Sequence, residues 1–319
     1  MDLPKFKNLE ITEITENILL VHQIKSSAMF TRCDGLILLP NEGRNKDTVI
    51  LDLNLEPNYV KEIYDRYSPV SDYVCTHTHL DHSAHVYVWE ELGVKIHAPI
   101  KEYENLHDLQ TFIDKFSFLE YVSPESAKMF ADAMGFHPCK NVSLLEPGTT
   151  LKFDNLEVET ILFSGHSPGH IGFFIPSDKV LHISCLGFDQ PKPGIDGFGP
   201  WYGFKPNVIS QYFDDIAKAE KIFMERARLL TSSHSYIVKH PDPTPFEYMR
   251  NKIEHNQIIV DQAIKSLKTL IDTDGIIKDL LELDLFFPKK KMKGFMKDIY
   301  TLWEHWIIEK HVARSTLLQ

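Results

Sequence analysis

Apolar and polar positions along this chain fall into two series of short runs, followed by a stretch of longer period. In the first series Ile18-Leu19-Leu20-Val21, Leu36-Ile37-Leu38-Leu39 and Thr48-Val49-Ile50-Leu51 are compact apolar runs parted by polar or glycine-containing segments, with Asn41-Glu42-Gly43-Arg44-Asn45 as a turn. Such runs predict β-strands. Tyr59 to Tyr67 reads as a helix, Asp72-Tyr73-Val74-Cys75 as a further strand, and Val86, Val88, Trp89 and Leu92 mark a helix after it. The second series opens after Pro147. Leu151-Lys152-Phe153 and Leu156-Glu157-Val158-Glu159-Thr160 flank Asp154-Asn155, a pair suited to a two-residue hairpin. Strands through Phe163, from Val180 to Cys185 and from Leu229 to His234 complete the series. Between the two, residues 99–140 form an insert with helix signals and the rings of Tyr103, Phe112, Phe116, Phe118, Tyr121, Phe130 and Phe136. These rings pack the insert onto its own domain or onto a second subunit in a homodimer, and from that position the insert can act as a lid.

The last seventy-five residues change period. Met249, Ile253, Val260, Ile264, Leu267 and Ile271 recur at helical spacing and predict one long amphipathic helix. Thr273 or Asp274 is placed to cap a second helix carrying Ile276, Ile277, Leu280 and Leu281. Lys289-Lys290-Lys291 interrupts as a solvated loop, and a third helix runs through Ile299, Leu302, Trp303 and Trp306. The expected division is a catalytic domain over residues 1–244 and a helical subdomain over residues 245–319.

The chemistry is concentrated in Thr76-His77-Thr78-His79-Leu80-Asp81-His82, where three histidines and an aspartate fall within seven residues. A strand leads in and a helix leads out, so the cluster occupies a loop at the carboxyl end of a strand, where α/β proteins place their sites. Imidazole and carboxylate at that density suit Zn, Fe or Mn better than Ca or Mg.

His77-x-His79-x-Asp81-His82 resembles the signature of the metallo-β-lactamase-fold hydrolases, among them the hydroxyacylglutathione hydrolases. Gly165-His166-Ser167-Pro168-Gly169-His170 follows a strand and is similar to the family's next ligand phrase, with His166 at the ligand position. His234 ends a late strand, as the family's last ligand does. The order and spacing agree over residues from about 10 to 240. The resemblance implies a four-layer αβ/βα sandwich, here with an added helical segment similar to the small winged-helix-like tail of some members. It implies one metal on His77, His79 and His166 and another on Asp81, His82 and His234, with zinc the expected ion and two ions per chain. One metal, or iron, are the alternatives. A metal lowers the pKa of bound water to about 7, and Asp81 is then the catalytic group that orients the nucleophile and hands on a proton. His170 takes a supporting role. Asp52, at the end of a strand, supports the ligand histidines or else caps the helix from Tyr59.

One position departs from the family. Its bridging aspartate is replaced by Cys185. A thiolate is a good, soft zinc ligand, so Cys185 either bridges or completes the second site, or is a buried strand cysteine. Asp189 is a more distant substitute. His85 is expected at a solvated helix position and His182 as a hydrogen-bonded core histidine. His97, His107, His137, His240, His255, His305 and His311 show no ligand spacing. The segment from Phe198 through Trp201 and Tyr202 to Phe204 stands close enough to Cys185 for its rings to wall an apolar substrate pocket, with core packing the alternative.

Composition narrows the function. The chain has 319 residues, 43% hydrophobic and 25% charged, with a net charge of -11 and a pI near 5.8. That field repels nucleic acid and anionic membrane. No signal peptide or membrane span is expected, and four scattered cysteines fit a reducing, cytoplasmic location. The expected function is a metal-dependent hydrolase of a small ester, lactone or thioester. The alternatives are an endoribonuclease or phosphodiesterase on the strength of the helical tail and the lysine run, a mononuclear-iron oxygenase, and a catalytically weak scaffold or sensor on the strength of Cys185. No dedicated signature for glutathione, β-lactam or homoserine lactone is present. His79 favours hydrolysis, because redox members of the family often carry glutamate there.

Overall fold

The computed structural model describes residues 6–25, 33–187, 200–234, 237–267 and 272–317. Two sheets stack face to face. The first contains β1 (Leu9–Thr15), β2 (Ile18–Gln23), β3 (Gly35–Leu38), β4 (Thr48–Leu51), β5 (Val70–Val74), β6 (Lys95–Pro99) and β7 (Val142–Leu145), paired in chain order. Its first half is antiparallel, and from β4 onward the strands run parallel. The second contains β8 (Thr150–Phe153), β9 (Leu156–Leu162), β10 (Ile171–Ile175), β11 (Val180–His182), β12 (Leu229–Thr231) and β13 (Ile237–Lys239), in the order 13-12-11-10-9-8. Only β11 and β12 pair in parallel there.

The helices are α1 (Pro57–Tyr67), α2 (Leu80–Ser83), α3 (Val86–Glu91), α4 (Glu104–His107), α5 (Leu109–Lys115), α6 (Pro124–Met134), α7 (Ile209–Glu225), α8 (Thr244–Ser266), α9 (Thr273–Leu281) and α10 (Phe295–Arg314). Pro57 sits in the first turn of α1, where its missing N–H costs nothing. Ser123 caps α6 through the Ser126 N–H, and Gly135 ends it in the left-handed conformation. Asp154 has φ +52°, and Phe153 pairs with Leu156, which is the tight hairpin its sequence predicts.

Apolar side chains sort into layers. Ile18, Leu36, Leu38, Val49, Leu51 and Val74 of the first sheet meet Val158, Ile171, Phe173, Ile175 and Val180 of the second. The opposite face of the first sheet, with Leu19, Ile37, Ile50 and Tyr73, is covered by Val60 and Ile63 of α1 and Val86 and Trp89 of α3. On the second sheet, Phe174, Leu181 and Leu230 are covered by Ile216, Ala219 and Phe223 of α7. The four-layer sandwich is therefore present, and each buried Leu, Ile or Phe supplies about 1.5–3 kcal/mol. The last core continues without a break into the insert and the tail: Phe118 packs on Trp306, and Phe130 on Trp303.

The tail is helical, and α8, α9 and α10 share a core of Val260, Ile264, Ile276, Leu280, Ile308 and Val312. Three local expectations need correction. The α9 cap is Asp272, one residue earlier than expected, whose carboxylate accepts from the Gly275 N–H. Lys289 is not a solvated loop lysine: it is buried and ion-paired with Glu304, which also accepts from the Leu285 and Phe286 N–H groups. His85 is buried against Gly135 instead of solvated. Among the described residues no helix is long and apolar enough to cross a membrane.

Candidate metal centre

The ends of β4, β5, β9, β11 and β12 converge on one point between the sheets. Asp52 follows β4 with φ +55°, a conformation an aspartate tolerates at some cost. It does not cap α1, whose N-cap is Glu56. Its carboxylate instead accepts from the Thr76 N–H at 3.1 Å, from His82 Nδ1 at 3.0 Å, from Ser184 Oγ at 2.9 Å and from Ser233 Oγ at 3.0 Å. Burial alone raises this carboxyl, but the charge and hydrogen bond of His82, the charge of His182 and the bond from Thr76 outweigh it and hold it at about 2.

Three buried histidines of the cluster are held so that one ring nitrogen is left for the centre, while His79 is placed by its stacking on Phe204. His77 Nδ1 lies 2.9 Å from Thr76 Oγ1, His82 Nδ1 donates to Asp52, and His166 Nδ1 donates to the Trp201 carbonyl at 2.8 Å. The freed atoms converge. His166 Nε2 is 3.1 Å from both His77 Nε2 and His79 Nδ1. A tetrahedral zinc with nitrogen ligands at 2.0–2.1 Å separates them by about 3.3 Å, so the three imidazoles fit one ion. Nearby, Cys185 Sγ is 2.8 Å from His82 Nε2 and 3.1 Å from His234 Nε2, with Asp81 Oδ2 3.5 Å from His82 Nε2 and 3.9 Å from His234 Nε2. These atoms make a second compact donor set of Asp81, His82, Cys185 and His234 beside that of His77, His79 and His166. Nitrogen and sulfur donors at this density suit zinc. Cys185 thus stands in the second set, buried, but not at the end of a strand: β11 stops at His182, and Ser184–Leu186 is a single 3₁₀ turn with Ser184 at φ +48°.

Protonation follows from crowding. Burial, and then the charges of neighbouring imidazoles, push His77, His79 and His166 well below the usual histidine range, so they stand neutral at pH 7, the form a metal requires. Burial pulls His82 down, but the Asp52 and Asp81 carboxylates more than offset it and raise it. Burial and nearby carboxylates raise the Cys185 thiol, and burial raises Asp81. A cation at the centre displaces those protons.

Glu102 escaped the sequence reading. It lies just past β6, fully buried, and ties the two ligand loops together. Its carboxylate accepts from Thr78 N–H at 2.8 Å and Thr78 Oγ1 at 3.1 Å in one loop, and from Gly169 N–H at 2.8 Å and the Ser167 hydroxyl in the other. The available signal was its position at the carboxyl end of a parallel strand. The His166 loop is also docked on α7: Gly165 N–H donates to Asp215 at 2.7 Å, and Asn207 Nδ2 to the His166 carbonyl at 2.5 Å. His170 donates from Nδ1 to the Phe163 carbonyl at 3.2 Å and packs its ring 4.9 Å from that of His77. His182 is the hydrogen-bonded core histidine expected, 3.0 Å from Thr231 Oγ1 and 3.2 Å from Ser233 Oγ.

A narrow cavity of about 60 Å³ opens beside the donors, lined by His79, Leu80 and Asp81 together with Phe112, Phe118, Phe130, Met134, Trp201, Phe204 and Trp303. Of the aromatic segment, Trp201 lines it and Phe204 stacks on His79 at 4.1 Å. Tyr202 belongs to the core instead, its hydroxyl 2.8 Å from His311 Nε2 and accepting from Asn256 at 2.7 Å. Phe198 and Asp189 lie outside the described residues.

Comparison with known proteins agrees with this geometry. No curated protein matches the chain. Among solved structures it is similar to a beta-lactamase domain protein from Burkholderia ambifaria, with 15% identity, TM-score 0.64, and 94% of this chain and 86% of that one covered. It is similar to a metallo-beta-lactamase family protein from Thermus thermophilus, with 15% identity, TM-score 0.58, and coverage of 85% and 87%. A metallo-beta-lactamase from Erythrobacter litoralis matches at 13% identity, TM-score 0.52, and coverage of 78% and 100%. At these identities the likeness is one of fold. The family model described as metallo-beta-lactamase superfamily matches residues 45–234, which span both donor sets and more than half of the chain. By that match the chain belongs to the metallo-beta-lactamase superfamily.

Proposed function

We propose that this protein is a zinc hydrolase with two ions per chain, acting on a small ester, lactone or thioester. Superfamily membership supports a metal-dependent hydrolase in general. The observation that carries the finer reading is the pair of donor sets, which together hold seven ligand atoms within one cleft. When bound, the metal supplies Lewis acidity and a hydroxide at neutral pH. The protein's own part is orientation: Asp52, Thr76 and the Trp201 carbonyl fix the rings of His82, His77 and His166. Asp81 borders both the second donor set and the cavity, so its carboxylate is placed to orient the attacking group and pass a proton to the leaving group. The insert lines the cavity together with Leu80, Trp201, Phe204 and Trp303 of α10, which supports reading residues 99–140 as a lid.

The ribonuclease alternative is the weaker reading, because Lys289 of the lysine run is buried on Glu304 and only the rest of the run faces solvent. Elemental analysis of protein purified without chelator, paired with turnover of p-nitrophenyl acetate, tests the proposal. About two equivalents of zinc are expected, falling toward one in Cys185→Ser with loss of activity. Protein that takes up no metal on reloading, or that turns over no ester when fully loaded, would sink it. One equivalent of iron would move the assignment to oxygenase chemistry.

A further inference from the structure

The cavity beside the donor sets has a composition that the metal chemistry does not require. His79 and Asp81 are the polar side chains lining it, and among the described residues no lysine or arginine does. The remaining wall is aromatic or aliphatic and comes from four separate parts of the chain: Leu80 from α2, Phe112 and Phe130 from the insert, Trp201 from the segment before α7, and Trp303 from α10. These rings meet edge to face, Trp303 lying 5.6 Å from Trp201 at 72° and 6.1 Å from Phe130 at 81°. Such contacts fix the walls.

Size and charge then select an occupant. A water-sized group needs about 10–15 Å³ by the measure that gives this cavity about 60 Å³. The space therefore admits roughly four to six such groups, a short acyl chain and not a long one. A carboxylate or phosphate in the wall region would be buried without a partner, which is strongly unfavourable. Resting on the hydrolase reading above, we propose that this cavity is the acyl-binding site for a neutral ester or thioester with a compact apolar acyl group, and that Trp303 of the C-terminal helix sets the limit on acyl length. Trp201 and Phe204 also line the space, but the Trp201 carbonyl orients His166 and Phe204 stacks on His79. Trp303 belongs to neither donor set and meets the wall edge to face at Trp201, so trimming it reshapes the wall without removing a donor.

The test uses the full-length, zinc-loaded protein and p-nitrophenyl esters from acetyl to octanoyl, together with the anionic hemisuccinate. Wild type is expected to favour acetyl to butyryl over octanoyl by about tenfold or more in kcat/KM, and to reject the hemisuccinate by a comparable factor. Trp303→Leu is expected to raise the octanoyl-to-butyryl ratio about fivefold or more, a ratio that does not depend on the fraction of folded enzyme. Phe130→Leu serves as a second, milder trim. Binding of methyl ketones of matching lengths, followed by tryptophan fluorescence, reads the cavity without hydrolysis. Length-dependent ketone binding that Trp303→Leu relaxes, in protein that hydrolyses nothing, would uphold the pocket while the hydrolase reading falls. Ester hydrolysis and ketone binding that ignore both acyl length and Trp303 would overturn the pocket while the hydrolase reading stands. Preference for the hemisuccinate would also overturn it.

Discussion

Asp52 shows how much of the site depends on a residue that binds no ion in the proposed scheme. Its two oxygens receive four donors drawn from Thr76, His82, Ser184 and Ser233, so one carboxylate aligns groups on three strand ends. Asn in its place keeps the volume but turns two N–H donors toward groups that are themselves donors. We expect Asp52→Asn to weaken metal binding by about 10–100-fold, acting mainly through His82 and the second donor set. Competition against a chromophoric zinc chelator reads this directly, and unchanged affinity for the second equivalent would refute it. At this scale the resemblance to the family was informative: the seven residues it nominated lie together in two groups that could hold a metal. The sequence was silent on Glu102, because a lone glutamate after a strand has no pattern, and its role exists only once two distant loops meet. It left the aromatic segment open between pocket wall and core, and adjacent residues divide between the two: Trp201 lines the cavity and Tyr202 joins the core.

At the level of elements, runs with strong periodicity or turn chemistry were legible and the connections between them were not. The β8–β9 hairpin was readable from Asp154-Asn155, and α8 and α10 from their apolar spacing. The strand to Cys185 was read three residues too long, because the left-handed Ser184 that ends it is held by its hydroxyl on Asp52, a tertiary contact. Helix α7 passed unnoticed, yet it docks the His166 loop. A Cβ built on Gly165 would lie 2.5 Å from the Tyr212 Cα of that helix. Backbone against backbone cannot yield by a rotamer change, so Gly165→Ala must part the loop from α7 and strain the Asp215 hydrogen bond. A loss of about 1–3 kcal/mol in urea unfolding is expected, with weaker binding at the first donor set. Unaltered stability together with full metal uptake would show that the contact is dispensable.

Over the whole molecule, the C-terminal helices and the metal centre are joined through one buried polar chain. His311 on α10 donates from Nδ1 to Gln257 and accepts at Nε2 from Tyr202, which adjoins Trp201, whose carbonyl orients His166. Both ring nitrogens of His311 are thus satisfied in the neutral form. Burial, reinforced by the charges of Arg314 and Lys310 and opposed by Asp261, holds this histidine down at about 3. In the unfolded chain it returns to about 6.5. The unfolded state therefore binds the proton first. The contribution of neutral His311 to stability is complete above pH 6.5 and is lost progressively as pH falls from there toward 3. One such group contributes a slope of up to about 1.4 kcal/mol per pH unit. Because the ligand histidines also compete for protons in acid, the informative quantity is the difference between wild type and His311→Gln, measured by urea unfolding at pH 7, 6 and 5 with zinc in excess. The variant should start less stable at pH 7 and lose less on acidification, so that the two curves approach each other. Parallel curves would mean that folded His311 takes up its proton as readily as the unfolded chain does, and that the link between tail and metal centre does not depend on its neutral form.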